Sequence, residues 1–516
     1  MNRSFLPLIV FLYILPIPVF SQEPKELQTQ AGIEADSIFI INSFLINVDG
    51  RTRASIIADL CKFITGEKIR GVPGLEKYIH DKTQILENTR NFDSISIEYS
   101  VGSQTNGEYP VDLEINVKDS NNTIVFPQPE YSSKSGYDIR LILRNQNFLG
   151  TLQPLKLDLG YIYDQFKRRY FLFILETNTV FSIFDLKWKL KFRNEFQYRP
   201  DLDKVFYYGN TTGISVNLPI QSSNLIIGLN ESFYVNLENE DKYKPFYGDT
   251  QEGFFISNNP YIEWEIPTGI EIGNSGMLYY IPYISFIYNY EFSKWLLDDI
   301  RKYPEVYFGH LIGFSGINWI KNFRKGTKIL VSNGYEYSFR NKNYDLRPLD
   351  INIAFTAINH FIVKNDLFGI SSRLQFRHWF YSYIYEEAGD VLRGIADDEL
   401  FANSVISLNL DFPVKVLLFR PSEWFNNNKL KLMNFDLHLA PFIDIALYNH
   451  PENNSIKDIK NILVTGGMEM FIFPQIFRSF YLRASFGYNF SEVFLKNYIP
   501  ASTDKYEIYI GTGLFY

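Results

Sequence analysis

Short segments in which apolar and polar residues alternate make up the last third of the chain. Between Ile406 and Phe412 every second residue is apolar, and Ser407, Asn409 and Asp411 lie between them. Side chains on a strand point to opposite faces with a period of two, so each segment has one apolar and one polar face. A run of such segments, about ten residues each and rich in aromatics, is what a transmembrane β-barrel requires. The pattern therefore predicts lipid outside this region and water or protein inside it.

Composition agrees with a barrel but has a second explanation. Aromatic residues make up 17% of the 516 residues, with 46 Phe, 36 Tyr and 6 Trp. Barrels carry aromatic girdles at both membrane interfaces, which would account for the excess. An AT-rich genome would also enrich Phe and Tyr, together with Ile, Asn and Lys. The formal net charge is −8 and no basic block occurs, so we expect no nucleic acid among the partners.

The first 21 residues have the pattern of a secretory signal peptide. Arg3 supplies the positive start, residues 5–20 form an apolar stretch, and Ser21 is a small residue before the expected cleavage site. An N-terminal membrane anchor is the alternative, which the short stretch and its three prolines disfavour. No later stretch approaches the roughly 20 apolar residues of a helical span, so we expect an exported chain without such spans. Residues 22–36 are expected to be a flexible polar lead.

Residues 37–119 show a different pattern, in which strands and helices are mixed. The predicted elements, in order, are a strand over 38–48, helices over 53–64 and 73–89, and strands over 94–101 and 111–117. The helices are predicted from apolar residues at helical spacing and the strands from alternation. Cys61, within the first helix, is the only cysteine, so no internal disulfide can form and the thiol is expected in the core.

Residues 120–136, which include two prolines, are predicted to be a linker, and residues 137–516 a barrel. In the clearest segment, 184–193, five apolar residues alternate with one acid and four cations. Four cations on one face would be destabilising in a core and are tolerated in a hydrated lumen. We count about seventeen strand-like segments, and single-chain bacterial barrels have an even number. The expected fold is therefore mostly β, an antiparallel transmembrane β-barrel of about 16 strands after one α+β domain.

The unit over 37–119 resembles a POTRA domain, the periplasmic module that precedes the barrel in the BamA/TamA surface-antigen family. Residues 50–52 (GRT) after the first strand and residues 86–92 (LENTRNF) stand where such domains carry similar residues. Gly136 and residues 145–151 (NQNFLGT) resemble the family's first barrel strand and turn. The resemblance covers essentially the whole mature chain. It implies a barrel in a bacterial outer membrane with its α+β domain in the periplasm.

Two barrel motifs support this resemblance. The family's (V/L)RG(Y/F) motif, at the tip of a loop folded into the lumen, is matched by Leu392, Arg393, Gly394 and Ile395. Its FxDxG signature on a later strand is matched by Phe442, Asp444 and Ala446. The resemblance implies that Arg393 contacts Asp444; the alternative is an exposed loop with an unrelated arginine. Ile395 replaces the family's aromatic residue and Ala446 its glycine, which weakens the match where the loop meets the wall.

The C-terminal segment resembles the strand that barrel-assembly machinery recognises in its clients. The residues that carry this signal are Gly511, Gly513, Phe515 and Tyr516. The same residues would also serve as an ordinary closing strand. We predict a weak seam between this strand, over 506–516, and a first barrel strand over 137–145. Glycine within a strand lowers its pairing and packing stability, although closing strands that never open also contain it.

Catalytic and metal sites are not predicted. The six histidines are scattered, with no pair at metal-binding spacing and no Cys–His cluster. Residues 313–316 (GFSG) lack the spacing of a nucleophile elbow. His438 shares the predicted lumen face with Asp436 and Asp444, and we interpret the three as a polar lumen network rather than a catalytic remnant. We expect no enzyme, no metal and no cofactor; a phospholipase-type activity in the lumen is the alternative.

The resemblance implies an assembly or translocation factor of the cell outer membrane. An incoming chain would add a strand to an exposed POTRA sheet edge by backbone hydrogen bonding, which tolerates many sequences. Expected partners are membrane lipid, unfolded outer-membrane or secreted proteins, and periplasmic chaperones or accessory lipoproteins. A two-partner-type secretion transporter for one dedicated partner and a passive channel or receptor are the alternatives. Arg393→Ala or Asp444→Ala is expected to impair function more than barrel formation, with partial rescue by a charge swap.

Overall fold

The chain forms a small α+β domain followed by an antiparallel β-barrel. The computed structural model describes residues 37–105, 107–132, 136–163, 169–200, 204–236, 253–272, 276–291, 304–339, 349–364, 366–380, 389–395, 400, 402–449, 461–494 and 505–512. The predicted signal peptide and polar lead, residues 1–36, lie outside the described residues. In the described part of the chain, no helix is both long and apolar enough to cross a membrane.

The α+β domain is built on a four-stranded sheet with the strand order β2-β1-β4-β3. Its elements are β1 (Ile38–Asp49), α1 (Ala54–Cys61), β2 (Lys68–Arg70), α2 (Val72–Thr89), β3 (Phe92–Val101) and β4 (Glu108–Asp119). Strand β1 runs parallel to β4, and the other pairs are antiparallel. The observed order is that predicted from the sequence, with the short strand β2 added between the helices. Strand β3 lies at one edge of the sheet.

Both helices pack their apolar faces against this sheet. The buried side chains of this core include Phe39, Ile41, Ile57, Cys61, Leu75, Leu86, Val111 and Ile115. Helix α2 has Pro73 in its first turn, where the missing N–H would have had no helical partner. Each helix ends at a residue in the left-handed conformation, Lys62 after α1 and Arg90 after α2. The end of α2 places Arg90 next to the barrel.

The thiol of Cys61 is buried in this core, and we expect it to be unreactive. Burial raises the pKa of the Cys61 thiol to about 11 from 9.0, because the thiolate is poorly solvated there. A pKa raised on folding contributes stability below pH 9, and that contribution is lost as the pH rises towards 11. Alkylation of the folded protein should therefore be slow at pH 8 and should accelerate between pH 9 and 11. A rate at pH 8 equal to that of the unfolded chain would contradict this.

The barrel contains twenty strand segments in the described residues. The first ten are β5 (Thr123–Ser132), β6 (Gly136–Asn145), β7 (Leu155–Tyr163), β8 (Arg169–Ile183), β9 (Leu186–Arg199), β10 (Lys204–Ile220), β11 (Ser223–Asn236), β12 (Gly253–Glu271), β13 (Met277–Glu291) and β14 (Glu305–Ser315). The next ten are β15 (Asn318–Ile320), β16 (Phe323–Ser338), β17 (Leu349–Lys364), β18 (Phe368–Trp379), β19 (Ser404–Asp411), β20 (Val414–Phe419), β21 (Phe435–Tyr448), β22 (Asn461–Pro474), β23 (Leu482–Asn489) and β24 (Tyr506–Thr512). Short helical segments are Phe148–Gly150, Gly389–Val391, α3 (Pro421–Trp424), Asn428–Met433 and α4 (Ser491–Phe494).

The barrel closes because its last strand returns to its first, β24 to β5. Strand β14 pairs directly with β16. The short strand β15 also pairs with β16 and extends the turn between β14 and β16. Strands β19 and β20 are one strand interrupted at Phe412 and Pro413, since both lie between β18 and β21. The twenty segments therefore occupy eighteen wall positions in the described residues, more than the prediction of about 16.

The beginning of the barrel differs from the sequence prediction. The segment predicted as a linker, 120–136, contains β5, so the barrel starts before residue 137 and β6 is its second strand. Pro127 and Pro129 suggested a linker because proline cannot donate to a ladder. Residues two apart on a strand direct their N–H groups to the same side, so the two prolines remove donors from one side alone. Strand β5 still pairs with β6 along all ten of its residues.

Alternation along the strands separates an apolar outer face from a polar inner face. On β7, Asp158 is 5% exposed, whereas the next residue, Leu159, is 46% exposed. Asp158 pairs with Arg144 of β6, and Glu176 of β8 lies 3.3 Å from Arg193 of β9. The buried polar face therefore points into the lumen, and these charges on it form pairs between neighbouring strands. The exposed apolar face is of the kind that lipid covers in membrane barrels.

Candidate functional site

The predicted loop motif lies inside the barrel, in a described segment that we call the lumen loop (residues 389–395). Val391, Leu392 and Ile395 are buried in an apolar cluster with Val405 and Ala446 of the wall. The two departures from the family pattern, Ile395 and Ala446, therefore belong to the same cluster. Ile395 has a branched aliphatic side chain where the family has an aromatic residue, and Ala446 has a methyl group where the family has glycine. The contact between the loop and the wall stays apolar.

Arg393 lies at the centre of a buried charge network. Its Nε atom donates to Asp444 Oδ2 at 2.9 Å, and its Nη2 atom donates to Asp444 Oδ1 at 2.6 Å. The Arg393 backbone N–H donates to the same carboxylate at 3.0 Å. The guanidinium carbon also lies 3.8 Å from the centre of the Phe442 ring. The structure thus brings together the arginine of the first motif and the aromatic and aspartate of the second.

Two further carboxylates contact Arg393, and the sequence interpretation assigned neither of them. Asp411 accepts a hydrogen bond from Nη1, and Glu469 Oε2 lies 3.2 Å from the same atom. Arg483 of β23 donates to Glu469 Oε1 at 2.8 Å. Asp411 and Glu469 each fall on the polar side of an alternating strand, which is the one signal the sequence offered. Charges removed from water in this way are strongly destabilising unless each has a partner.

Gly394 connects the lumen loop to the closing strand. Its backbone N–H donates to Glu507 Oε2 of β24 at 2.8 Å. Gly394 has φ +85°, and a Cβ atom there would lie 3.0 Å from the backbone of Gly487 on β23. Glycine is therefore required both by the left-handed backbone and by the close approach. On the same face of β24, the Tyr509 ring lies 4.9 Å from the Arg483 guanidinium, which is part of the charge network.

The closing strand β24 lies between β23 and β5. In the described residues β24 pairs with β5 at two positions, Tyr509 with Ser132 and Ile510 with Tyr131. It pairs with β23 at seven positions. The seam was predicted against residues 137–145, but that segment is β6, and β5 takes the position at the seam. Gly511 lies in β24, whereas Gly513, Phe515 and Tyr516 lie outside the described residues.

A junction between the α+β domain and the barrel joins two of the segments that carried the resemblance. Asp119 Oδ1 accepts the Thr52 hydroxyl at 2.6 Å, and Asn147 Nδ2 donates to the Thr52 Oγ1 atom at 2.6 Å. The Arg53 N–H donates to the Gly150 carbonyl at 3.0 Å. The GRT segment of the domain therefore bonds to the turn between β6 and β7. This contact fixes the domain next to the first strands of the barrel.

A second junction is centred on Arg90, at the end of α2. Its guanidinium lies 4.5 Å from the centre of the Trp319 ring and donates to the Lys321 carbonyl at 3.1 Å. It also donates to the Arg478 carbonyl in the β22–β23 turn and to Asn322 Oδ1 at 3.0 Å. Burial lowers the pKa of Arg90 to about 10, so the group stays cationic near neutral pH. One side chain thus joins the domain to two turns of the barrel.

Arg90→Ala is expected to loosen this second junction without unfolding either unit. Hydrogen bonds from a charged donor contribute about 1.5–3 kcal/mol each, and this side chain makes several of them. We expect faster amide hydrogen exchange at residues 84–92 and 318–322. Lys77→Ala is the matched control, because Lys77 makes an exposed pair with Asp81 on the same helix. Equal exchange in the two variants would mean that Arg90 does not hold the junction.

The polar lumen network predicted around His438 is arranged differently from the expectation. His438 is buried between aromatic rings, with its ring centre 4.6 Å from that of Phe323 and 4.9 Å from that of Phe473. Asp436 instead pairs with Arg420 and accepts a hydrogen bond from Asn322 at 2.9 Å. Asp444 belongs to the Arg393 network. Among the described residues, no group of three His, Cys, Asp or Glu side chains is placed to hold a metal ion.

The chain is similar to several solved structures. BamA from Haemophilus ducreyi lacking POTRA domains 1–3 is 12% identical, with a TM-score of 0.39, over 92% of this chain and 84% of that one. CdiB from Acinetobacter baumannii is 13% identical, with a TM-score of 0.48, over 92% and 74%. CdiB from Escherichia coli is 9% identical, with a TM-score of 0.44, over 94% and 92%. The sequence matches no protein-family model and no curated protein. Similarity at this level carries no argument about function.

Proposed function

We propose that the protein is an outer-membrane factor of the BamA/TamA type that inserts or exports β-rich polypeptides. In this proposal the barrel lies in the outer membrane of a Gram-negative-type bacterium, and the α+β domain is a POTRA domain in the periplasm. The clients are unfolded outer-membrane or secreted proteins, delivered with periplasmic chaperones or accessory lipoproteins. No catalytic step and no cofactor is part of the proposal. Three features support it: the closing strand β24, the lumen loop, and the edge strand β3 of the α+β domain.

The single observation that carries the proposal is how the closing strand is held. Backbone pairing between β24 and β5 covers two described residue pairs, whereas side chains in the lumen hold β24 through Glu507 and Tyr509. In this proposal the lumen loop, which contacts both β23 and β24, sets the position of β24, and a movement of that loop lets β24 separate from β5 and expose its edge. A free edge can pair with an incoming strand.

The edge strand β3 of the α+β domain supports the same proposal. It pairs with β4 on one side and ends the sheet on the other. Its residues alternate between serine and larger side chains, as in Ser94, Ser96 and Ser100, and most are at least partly exposed. An extended client segment can add to such an edge through backbone hydrogen bonds, which do not require a fixed sequence.

Depletion of the protein, followed by quantitative proteomics of the outer-membrane and secreted fractions, tests the proposal. A fall in many barrel proteins, or in one class of them, is expected for an insertion factor. One missing secreted protein in an unchanged membrane would identify a two-partner-type transporter, which shares the seam but serves one partner. No change in either fraction would overturn both and leave a passive channel or receptor. Re-expression of the wild-type chain is the control that ties the changes to this protein.

A further inference from the structure

The connection between β20 and β21 is a long structured segment instead of a tight turn. We call residues 420–433 the rim segment; it contains α3 and the short helix Asn428–Met433. It lies at the end of the barrel that contacts the α+β domain. Asn434, which follows it, donates to Gln475 at 2.8 Å, and Arg478 in that same β22–β23 turn donates to the Phe92 carbonyl at 3.0 Å.

Hydrogen bonds of its polar groups hold the rim segment in one conformation. Asn434 Nδ2 donates to Ser422 Oγ at 2.7 Å, and the Asn427 N–H donates to the Ser422 carbonyl at 2.9 Å. The Asn427 side chain accepts from the Lys429 N–H at 3.0 Å. Arg420 donates to the Phe435 carbonyl at 2.7 Å. The exposure of side chains on this segment is therefore set by a defined fold.

Four large apolar side chains of the rim segment face outward. Their exposed fractions are 58% for Trp424, 71% for Phe425, 66% for Leu432 and 52% for Met433. Four such groups on fourteen residues form a concentrated apolar surface, which soluble surfaces rarely carry without a partner. The internal hydrogen bonds stabilise a conformation that keeps these groups out of the protein core.

This apolar surface continues the outer face of the barrel. The Trp424 ring packs edge-on against Phe419, with 5.0 Å between ring centres, and Phe419 stacks on Phe435 at 5.0 Å. Phe419 and Phe435 are cross-strand partners. The next residue, Asp436, points into the lumen, where Asn322 donates to it, so Phe435 points outward. Trp424 therefore extends the part of the wall that faces lipid.

Cations flank the apolar side chains of the rim segment. Lys429 and Lys431 are both exposed and precede Leu432 and Met433. An apolar surface bordered by lysines is the arrangement of an interfacial anchor, in which apolar groups enter the acyl region and ammonium groups lie near phosphates. Other turns at the same end of the barrel also expose apolar side chains, namely Ile183, Phe184, Ile220, Val363 and Leu367.

We propose that the rim segment is an interfacial anchor for the phospholipid leaflet on the side of the α+β domain. Trp424, Phe425, Leu432 and Met433 enter the leaflet, and Lys429 and Lys431 lie against phospholipid phosphates. The anchor fixes the height of the barrel in the membrane on the β20–β21 side. It rests on the proposed membrane location but is independent of any client.

A nitroxide attached at residue 425 tests this proposal in purified full-length protein. The variant Phe425→Cys is made in a Cys61→Ala background and reconstituted in phosphatidylcholine vesicles. Two reference positions are labelled in the same way. Ile284→Cys on the outer face of β13 represents a lipid-facing site, and Lys77→Cys on the exposed face of α2 represents a water-exposed site. We expect oxygen to relax the label more than a water-soluble nickel complex does at residues 425 and 284, and the reverse at residue 77.

The outcomes separate the anchor from the membrane location. Nickel-dominated relaxation at 425 with oxygen-dominated relaxation at 284 would overturn the anchor alone. Nickel-dominated relaxation at both would overturn the membrane location as well. A label at 425 that is water-accessible in vesicles but protected in cells would mean that a protein partner covers the segment, which also overturns the anchor. Leu432→Cys repeats the measurement if the Phe425 variant does not fold.

The lysines are tested separately with anionic lipid. Adding phosphatidylglycerol to the vesicles is expected to raise the ratio of oxygen to nickel relaxation at residue 425, because the ammonium groups draw the segment towards the surface. The double variant Lys429→Gln/Lys431→Gln should lose this dependence while keeping the ratio measured in phosphatidylcholine. A dependence that survives both substitutions would remove the lysines from the proposal.

Discussion

Arg393→Ala is expected to abolish function in a complementation assay while the barrel still assembles. The substitution leaves Asp411, Asp444 and Glu469 in a buried site without the cation that contacts all three. Removal of one partner from a buried ion pair typically destabilises by about 3–5 kcal/mol. The lumen loop would leave its site, and Gly394 would no longer donate to Glu507 of the closing strand. Heat-modifiable migration on a gel measures barrel assembly, and growth after depletion of the wild type measures function.

Arg377→Ala is the matched control for this experiment. Arg377 pairs with Asp390 at the base of the same loop, with two hydrogen bonds of 3.0 and 2.8 Å. This pair is partly exposed, and exposed pairs contribute only about 0–1 kcal/mol. We expect Arg377→Ala to support growth like the wild type. If Arg393→Ala does so as well, the lumen loop does not control function.

The charge-swap variant is now expected to fail, which revises the expectation drawn from the sequence. An isolated pair of Arg393 and Asp444 could be exchanged with partial rescue. In the structure, however, the exchanged aspartate at 393 would face Asp411 and Glu469. Like charges so placed in a buried site repel strongly, so the swap should behave no better than Arg393→Ala. Rescue by the swap would show that these two carboxylates contribute little.

The arrangement of the α+β domain was predictable because its signals are local. Helical spacing, an N-terminal proline and glycine turns determine where each element begins and ends, and the structure agrees to within a few residues. The first barrel strand was missed because Pro127 and Pro129 were interpreted as part of a linker, although proline also occurs in some strands. Prolines break a central strand, but two prolines that are two residues apart remove donors from one side of the strand alone, so pairing on the other side is kept.

The charge network was predictable only in part, because its members come from distant segments. The pair Arg393 and Asp444 came from motif resemblance. The participation of Asp411, Glu469, Arg483 and Glu507 depends on which strands lie side by side and at which register, and one sequence does not contain that information. Alternation showed that these residues face the lumen, but many charged residues do. Their convergence on one loop is a property of the closed barrel.

A disulfide across the seam is expected to remove function and to restore it on reduction. Tyr131 and Ile510 are backbone partners on β5 and β24, and directly opposed residues of an antiparallel pair are close enough for a disulfide. In Tyr131→Cys/Ile510→Cys the oxidised barrel cannot open at the seam. If clients enter by pairing with the free edge of β24, we expect at least a tenfold loss of function, reversed by a reductant.

The control for this cross-link uses the same cysteine at 510. Ala484 is the partner of Ile510 on β23, so Ala484→Cys/Ile510→Cys joins two strands that the proposal keeps together. This variant should retain function when oxidised, although the chemistry and the position on β24 are the same. The native thiol of Cys61 is buried and does not compete.

Equal loss in both variants would mean that β24 must move as a whole, and full function in both would mean that the seam stays closed during the working cycle. Only a loss confined to the β5–β24 cross-link supports a lateral opening, because that cross-link restrains the seam at which the last strand of the barrel meets the first.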